Sequence, residues 1–231
     1  MPAKRSGARG KRSQRTRELL EPVQEPRSEP PLSRDRIVAS AVELLDAQGV
    51  DGLTMRRLAD RLGSGVMSLY WHVDSKEDVF DLALDSVLEY RGPSQTGESE
   101  DWRAEVVHVL EDWRAIMLRH PWSASLLPRR ALGPNILTRL ELLSKTLSGA
   151  GVADADLNVA IWSLWNYVMG ATITRASFGL SDDDRAAAQQ RLTRLSERYP
   201  TIERSRLLLD SDWGGAFRKG LDFLLAGLLT A

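Results

Sequence analysis

His108, Glu111 and Asp112 fall on one face of a helical stretch, where an imidazole and two carboxylates could hold a metal or act as a base. Trios at this spacing more usually form solvated surface pairs. The chain has no cysteine, which excludes disulfides, thiolate metal sites and cysteine nucleophiles. It also lacks a glycine-rich phosphate loop and a nucleophile elbow, so no catalytic residues and no cofactor are expected. A second chemistry lies in the first 17 residues, which carry seven cations (Lys4, Arg5, Arg9, Lys11, Arg12, Arg15, Arg17) and no acid. Such a run suits phosphate neutralisation, as in basic arms that reach the DNA minor groove, or serves only as a solubilising tail. Either way it is expected to be disordered without DNA.

The stretch that must give this charge a purpose is Leu53–Lys76. Thr54 is suited to cap a helix, because its hydroxyl accepts a bond from an orphan N–H of the first turn. Leu58, Ala59 and Leu62 recur at helical spacing, and Gly63 stops the helix at low conformational cost. Ser64 and Gly65 complete a turn, and a second short helix runs from about Val66 to His72. Two short helices about a glycine-bearing turn form the helix-turn-helix pattern, whose second helix lies in the DNA major groove. Spacing alone fits an ordinary helical hairpin equally well.

The wording settles the choice. Leu53-Thr54, Arg56, Leu58-Ala59, Leu62-Gly63, the run Leu69-Tyr70-Trp71-His72-Val73, and Lys76 resemble the N-terminal domain of TetR-family transcriptional repressors, in particular the tetracycline-repressor branch. The resemblance covers Ser33 to about Leu84. It implies that Arg56 reaches a guanine bidentately and that Val66, Met67 and Ser68 meet base edges. It further implies that Tyr70, His72 and Lys76 clamp phosphates, and that Met55 can also contact the operator. Where the branch leads one to expect a polar residue followed by proline, this chain has Val66-Met67, so the operator sequence is not transferable. Trp71 and Leu69 are expected to pack in the core.

Around this motif the spacing predicts a helix over residues 34–48, capped by Ser33 and ended by Gly49, and another from Lys76 to about Tyr90. Residues 1–31 are read as a basic arm and linker, 32–92 as the DNA-binding domain with its connecting helix, and 93–231 as a larger all-α domain. Helices are expected near 101–119, 134–149, 154–179, 183–198 and 212–229, with short pieces after Pro121 and at 201–209. The stretches 158–178 and 217–229 are apolar on more than one face, and Gly170, Ala171, Gly220 and Gly227 would let a partner helix approach. The simplest account, also implied by the resemblance, is a homodimer through a four-helix bundle; the competing one is a large monomer core. A dimer would hold two recognition helices about one DNA turn apart, ~34–36 Å, on a palindromic operator.

Six tryptophans of the second domain (Trp102, Trp113, Trp122, Trp162, Trp165, Trp213) are compatible with core packing or with an aromatic-lined pocket for a small-molecule effector. The pocket candidates are Trp113, Met117, Trp162, Trp165, Asn166 and Met169, with Asn166 an amide among apolar residues that needs a partner. The resemblance places metal-chelate histidines where this chain has Gly92 and, without gaps, Leu127, with His120 out of register. No metal is therefore expected. Of 231 residues, 42% are hydrophobic and 27% charged, as in soluble globular proteins, and no run approaches a membrane span. The basic N-terminus lacks the apolar core of a signal peptide, so a cytoplasmic, nucleoid-associated location is expected. The overall expectation is an all-α, ligand-responsive repressor, against two alternatives: a DNA-binding regulator without a ligand, and a non-specific, charge-driven nucleic-acid binder.

Overall fold

A computed structural model describes residues 31–92, 101–130, 133–177, 181–205 and 212–228. The basic arm and the 93–100 boundary lie outside the described residues. Among the described residues every regular element is helical.

Helix α1 (Arg34–Gly52) begins at Ser33, whose hydroxyl accepts from the Arg36 N–H at 3.3 Å. Ile37, Ala41, Leu44 and Leu45 are its buried stripe. The expected stop at Gly49 appears as a kink: Gly49 takes φ 69°, a left-handed value that a side chain would strain, and one further turn reaches Gly52. Helix α2 (Met55–Arg61) is capped by Thr54 as anticipated, its hydroxyl accepting from the Arg57 N–H at 3.2 Å. Gly63 at φ 62° closes it with two bonds, Ser64 N–H to the Ala59 carbonyl and Gly63 N–H to the Asp60 carbonyl, the Schellman arrangement. Helix α3 is only Val66–Leu69, and Tyr70–His72 continue as a turn.

Helix α4 (Lys76–Val87) starts at Ser75, which accepts from the Asp78 N–H at 3.1 Å. Asp78 in turn accepts from the Asp74 N–H at 3.2 Å, one residue before the cap. Val79, Phe80, Ala83 and Leu84 form its buried face, which packs on α1 and completes the first core. The helix ends at Val87, short of Tyr90.

The rest is a helical stack built around α5 (Trp102–Arg119), α7 (Pro134–Gly149) and α8 (Asp154–Ser177), with the short α6 (Pro121–Leu126) between α5 and α7. Helices α9 (Asp182–Arg194) and α10 (Pro200–Ser205) precede α11 (Trp213–Gly227), which lies along α8. Tyr167 of α8 donates to the Phe217 carbonyl at 2.9 Å and stacks on the Phe217 ring at 5.2 Å. Gly220, expected to admit a partner helix, instead admits this chain's own Tyr167 hydroxyl, which a Cβ there would overlap.

Candidate nucleic-acid interface and ligand groove

Helical geometry divides the segment after Gly65 into an anchor and a display. Leu69 and Val73, four residues apart, are buried at 0% and 3% exposure. The residues between and before them point away: Met67 is 74% exposed, Tyr70 44% and Trp71 88%, with Ser68 and His72 also exposed and Val66 half-buried. The expectation that Trp71 packs in the core is therefore wrong, because Leu69 and Val73 take the inward stripe and leave it on the opposite side. Three large apolar side chains held outward on one short segment are unusual for a surface that stays solvated.

The cations nearby are allocated unequally. Arg57 donates to Gln48 Oε1 at 2.9 Å and to the Gly52 carbonyl at 3.1 Å, and Arg61 pairs with Glu43. Arg56 is exposed, and among the described residues its side chain has no hydrogen bond or ion pair. Lys76 lies 5.1 Å from the Phe80 ring centroid at the start of α4, and Met55 is half-buried at the start of α2. Arg56 is thus long and, among the described residues, without a side-chain partner that would keep it from extending, as a bidentate base contact requires.

The six pocket candidates separate into two groups. Trp113 and Met117 are each 1% exposed and Met169 is 7% exposed. Trp165, half-buried, meets Trp113 edge-to-face at 4.7 Å. Trp162, 60% exposed, and Asn166, exposed, lie on the outer side of α8. Asn166 is thus exposed and not the amide enclosed among apolar residues that was expected. A groove of about 670 Å³ opens between the ends of α5 and α8 and the side of α6. Its described lining is Met117, Leu118, Pro121, Ala124, Ser125, Thr172, Ile173 and Arg175, so Met117 alone of the candidates reaches it. The tryptophans carried the sequence signal, whereas the groove is lined mostly by small and aliphatic residues, with Arg175 at one end, and these send none.

Two junctions tie these regions together, and neither was anticipated. The first is Arg139 of α7, fully buried. Its Nε donates to the Leu88 carbonyl at 2.6 Å, and its Nη2 to the Glu89 carbonyl at 3.3 Å and to Asp112 Oδ2 at 2.7 Å. A guanidinium at the carbonyl end of α4 both satisfies orphan acceptors and meets the negative end of the helix dipole. Burial pulls the Arg139 guanidinium below its ordinary pKa, and the bond to Asp112 opposes that pull. Beside it, burial followed by the charges of Glu105 and Asp112 pushes the Tyr90 phenol up. Farther along α4, Asp85 accepts from Asn135, and Arg130 reaches both Asp81 and the Phe80 ring.

The second junction is Asp46 of α1. Its Oδ1 lies 2.7 Å from His120 Nδ1 and accepts from Trp122 Nε1 at 2.6 Å, holding α1 to the start of α6. Of the suspected metal or base trio, His108 packs edge-on to Tyr90, Glu111 takes two bonds from Arg218, and Asp112 takes Arg139. The three are drawn in different directions.

Comparison with known proteins agrees with this geometry. Residues 37–83 match the family model described as bacterial regulatory proteins, tetR family, and residues 94–231 match the tetracyclin repressor-like C-terminal domain. An HTH-type transcriptional regulator of Saccharopolyspora erythraea is 39% identical over 211 residues, 90% of this chain and 89% of its own length. The class D tetracycline repressor protein of Escherichia coli is 29% identical over 203 residues, 85% of this chain and 88% of its own. Among solved structures, the Streptomyces coelicolor TetR family protein ActR in complex with actinorhodin aligns with TM-score 0.74 and 30% identity, over 87% of this chain and 97% of that one.

Proposed function

The chain belongs to the tetR family of bacterial DNA-binding transcriptional regulators, and from that membership we propose that it is a repressor that binds a palindromic operator as a homodimer and is released by a small-molecule effector. Its role is regulatory rather than catalytic. Residues 32–92 would carry the DNA-binding function, 93–231 effector binding and dimerisation, and the arm 1–31 further phosphate contacts. No helix among the described residues is long and apolar enough to cross a membrane; the proposed place of action is the nucleoid in the cytoplasm.

The observation that carries the reading is the outward display of Met67, Tyr70 and Trp71 above the buried Leu69 and Val73. That display suits insertion into a major groove. In it Val66, Met67 and Ser68 meet base edges, Arg56 reads a guanine, and Tyr70, His72 and Lys76 hold phosphates, with Met55 at the margin. Dimerisation is supported by the exposed apolar side chains of α8 and α11: Val159 and Trp162 at 60% and Phe223 at 69%. A stripe of this kind is costly to leave in water and is relieved by a second copy.

Release follows from population shift. An effector that binds better to a dimer with wrongly spaced recognition helices draws the population there. Two routes are available, α4 with its Arg139 cap and the Asp46 bonds from His120 and Trp122. Arg56→Ala tests the DNA reading: the base preference at one operator position should relax by ~1–3 kcal/mol, with the other positions unchanged, in a binding assay over single-base operator variants. A uniform loss across all variants would contradict base readout by Arg56.

A further inference from the structure

The groove between α5, α6 and α8 has a charge asymmetry that specifies its ligand. Its walls at Met117, Pro121, Ala124 and Ile173 are apolar, and the Thr172 hydroxyl is already spent on the Val168 carbonyl at 2.7 Å. Arg175 is the one charged residue among the described residues lining it. Its guanidinium lies 5.6 Å from the Trp213 ring centroid, and among the described residues no carboxylate pairs with it. A second guanidinium, Arg114, donates to the Trp213 carbonyl at 3.4 Å and lies over Phe217 at 4.6 Å, with its own Nε buried and unpartnered. Burial, and then the charge of Arg175, push Arg114 below its ordinary pKa, which places the two cations within each other's field. Glu111, the carboxylate that opposes this, is held by Arg218 through bonds of 2.9 and 2.7 Å. Among the described residues, one end of an apolar groove is therefore left with positive charge that no carboxylate pairs.

We propose that the groove takes an organic acid with an apolar body, its carboxylate facing Arg175. This rests on the effector-responsive reading above and names its ligand class. The volume of about 670 Å³ lies within the range of pockets for drug-sized molecules. The planar guanidinium fork matches a carboxylate in two hydrogen bonds, while a cation of the same shape would meet repulsion with nothing to offset it. Apolar walls supply the affinity, and Arg175 sets the sign of charge.

The test uses the full-length protein and two probes with one body, anthracene-2-carboxylic acid and 2-(aminomethyl)anthracene, titrated by calorimetry. The acid should bind at least tenfold more tightly than the amine. Arg175→Gln should erase the difference, Arg175→Lys should keep most of it, and Ile173→Glu, at a half-exposed site, should repel the acid. All three variants should keep the wild-type helical circular dichroism. Equal affinity for the two probes, no binding of either because another chain segment or a second copy fills the groove, or an acid preference that survives Arg175→Gln would overturn the assignment. Repeating the titration on the operator complex separates the two readings. Arg175-dependent acid binding that leaves DNA bound supports the site and refutes release by effector.

Discussion

Trp71 is 88% exposed, yet it lies two residues from Leu69, which is 0% exposed. Such a residue contributes nothing to the fold and costs solvation until something covers it. Trp71→Ala should therefore leave unfolding stability within about 0.5 kcal/mol of wild type. Operator affinity should fall by about 1 kcal/mol or more with the base preference unaltered, since an apolar face reads no hydrogen-bond pattern. Denaturant titration and operator titration of the one variant check both halves. Leu69→Ala should do the reverse, destabilising the domain by roughly 2–5 kcal/mol. The spacing of Leu69 and Val73 already contained this division. Reading aromatic composition as core concealed it, because bulk predicts burial only where the helical phase agrees. Arg56 was legible through the family resemblance alone: Asp60 lies one turn on, yet the two do not pair, whereas Arg57 and Arg61 find Gln48 and Glu43 in α1.

Helix starts were the most legible elements, since Ser33, Thr54 and Ser75 each make the cap bond their side chains suggest. Ends were less so. Helix α4 stops at Val87 although its apolar period runs on, because Arg139, some fifty residues later, takes the Leu88 and Glu89 carbonyls. An arginine in a helix is expected to be solvated, and no local pattern announces that this one is buried. Arg139→Met should remove three hydrogen bonds and leave Asp112, itself partly exposed, to solvent. The expected cost is about 2–4 kcal/mol, read as a lower urea midpoint at fixed protein concentration. If α4 transmits the effector signal, the same variant should also weaken the response of operator binding to effector. Stability and response both unchanged would remove Arg139 from the coupling.

At the scale of the whole chain, sequence analysis reached the all-α architecture and the two apolar helices, because periodicity reports which helices have too much hydrophobic surface. It did not separate the faces of α8. Ala160, Leu164, Val168 and Met169 turn inward, while Val159, Trp162 and Ile173 turn outward. The groove was also out of reach, since it arises from the relative placement of three helix ends. Because Val159 and Trp162 of α8 and Phe223 of α11 are the proposed subunit contact, Trp162→Glu with Phe223→Glu should yield a folded monomer by sedimentation. That monomer should bind operator at least a hundredfold more weakly, since each half-site is then held alone.

The central claim is that a symmetric pair of subunits places two Val66–His72 segments in successive major grooves, and selecting DNA from a random pool with the full-length protein tests it most directly. The expected product is an inverted repeat whose half-site centres lie about one helical turn apart, ~34–36 Å. A single unrepeated motif, or a pool that gains affinity without gaining a consensus, would contradict it.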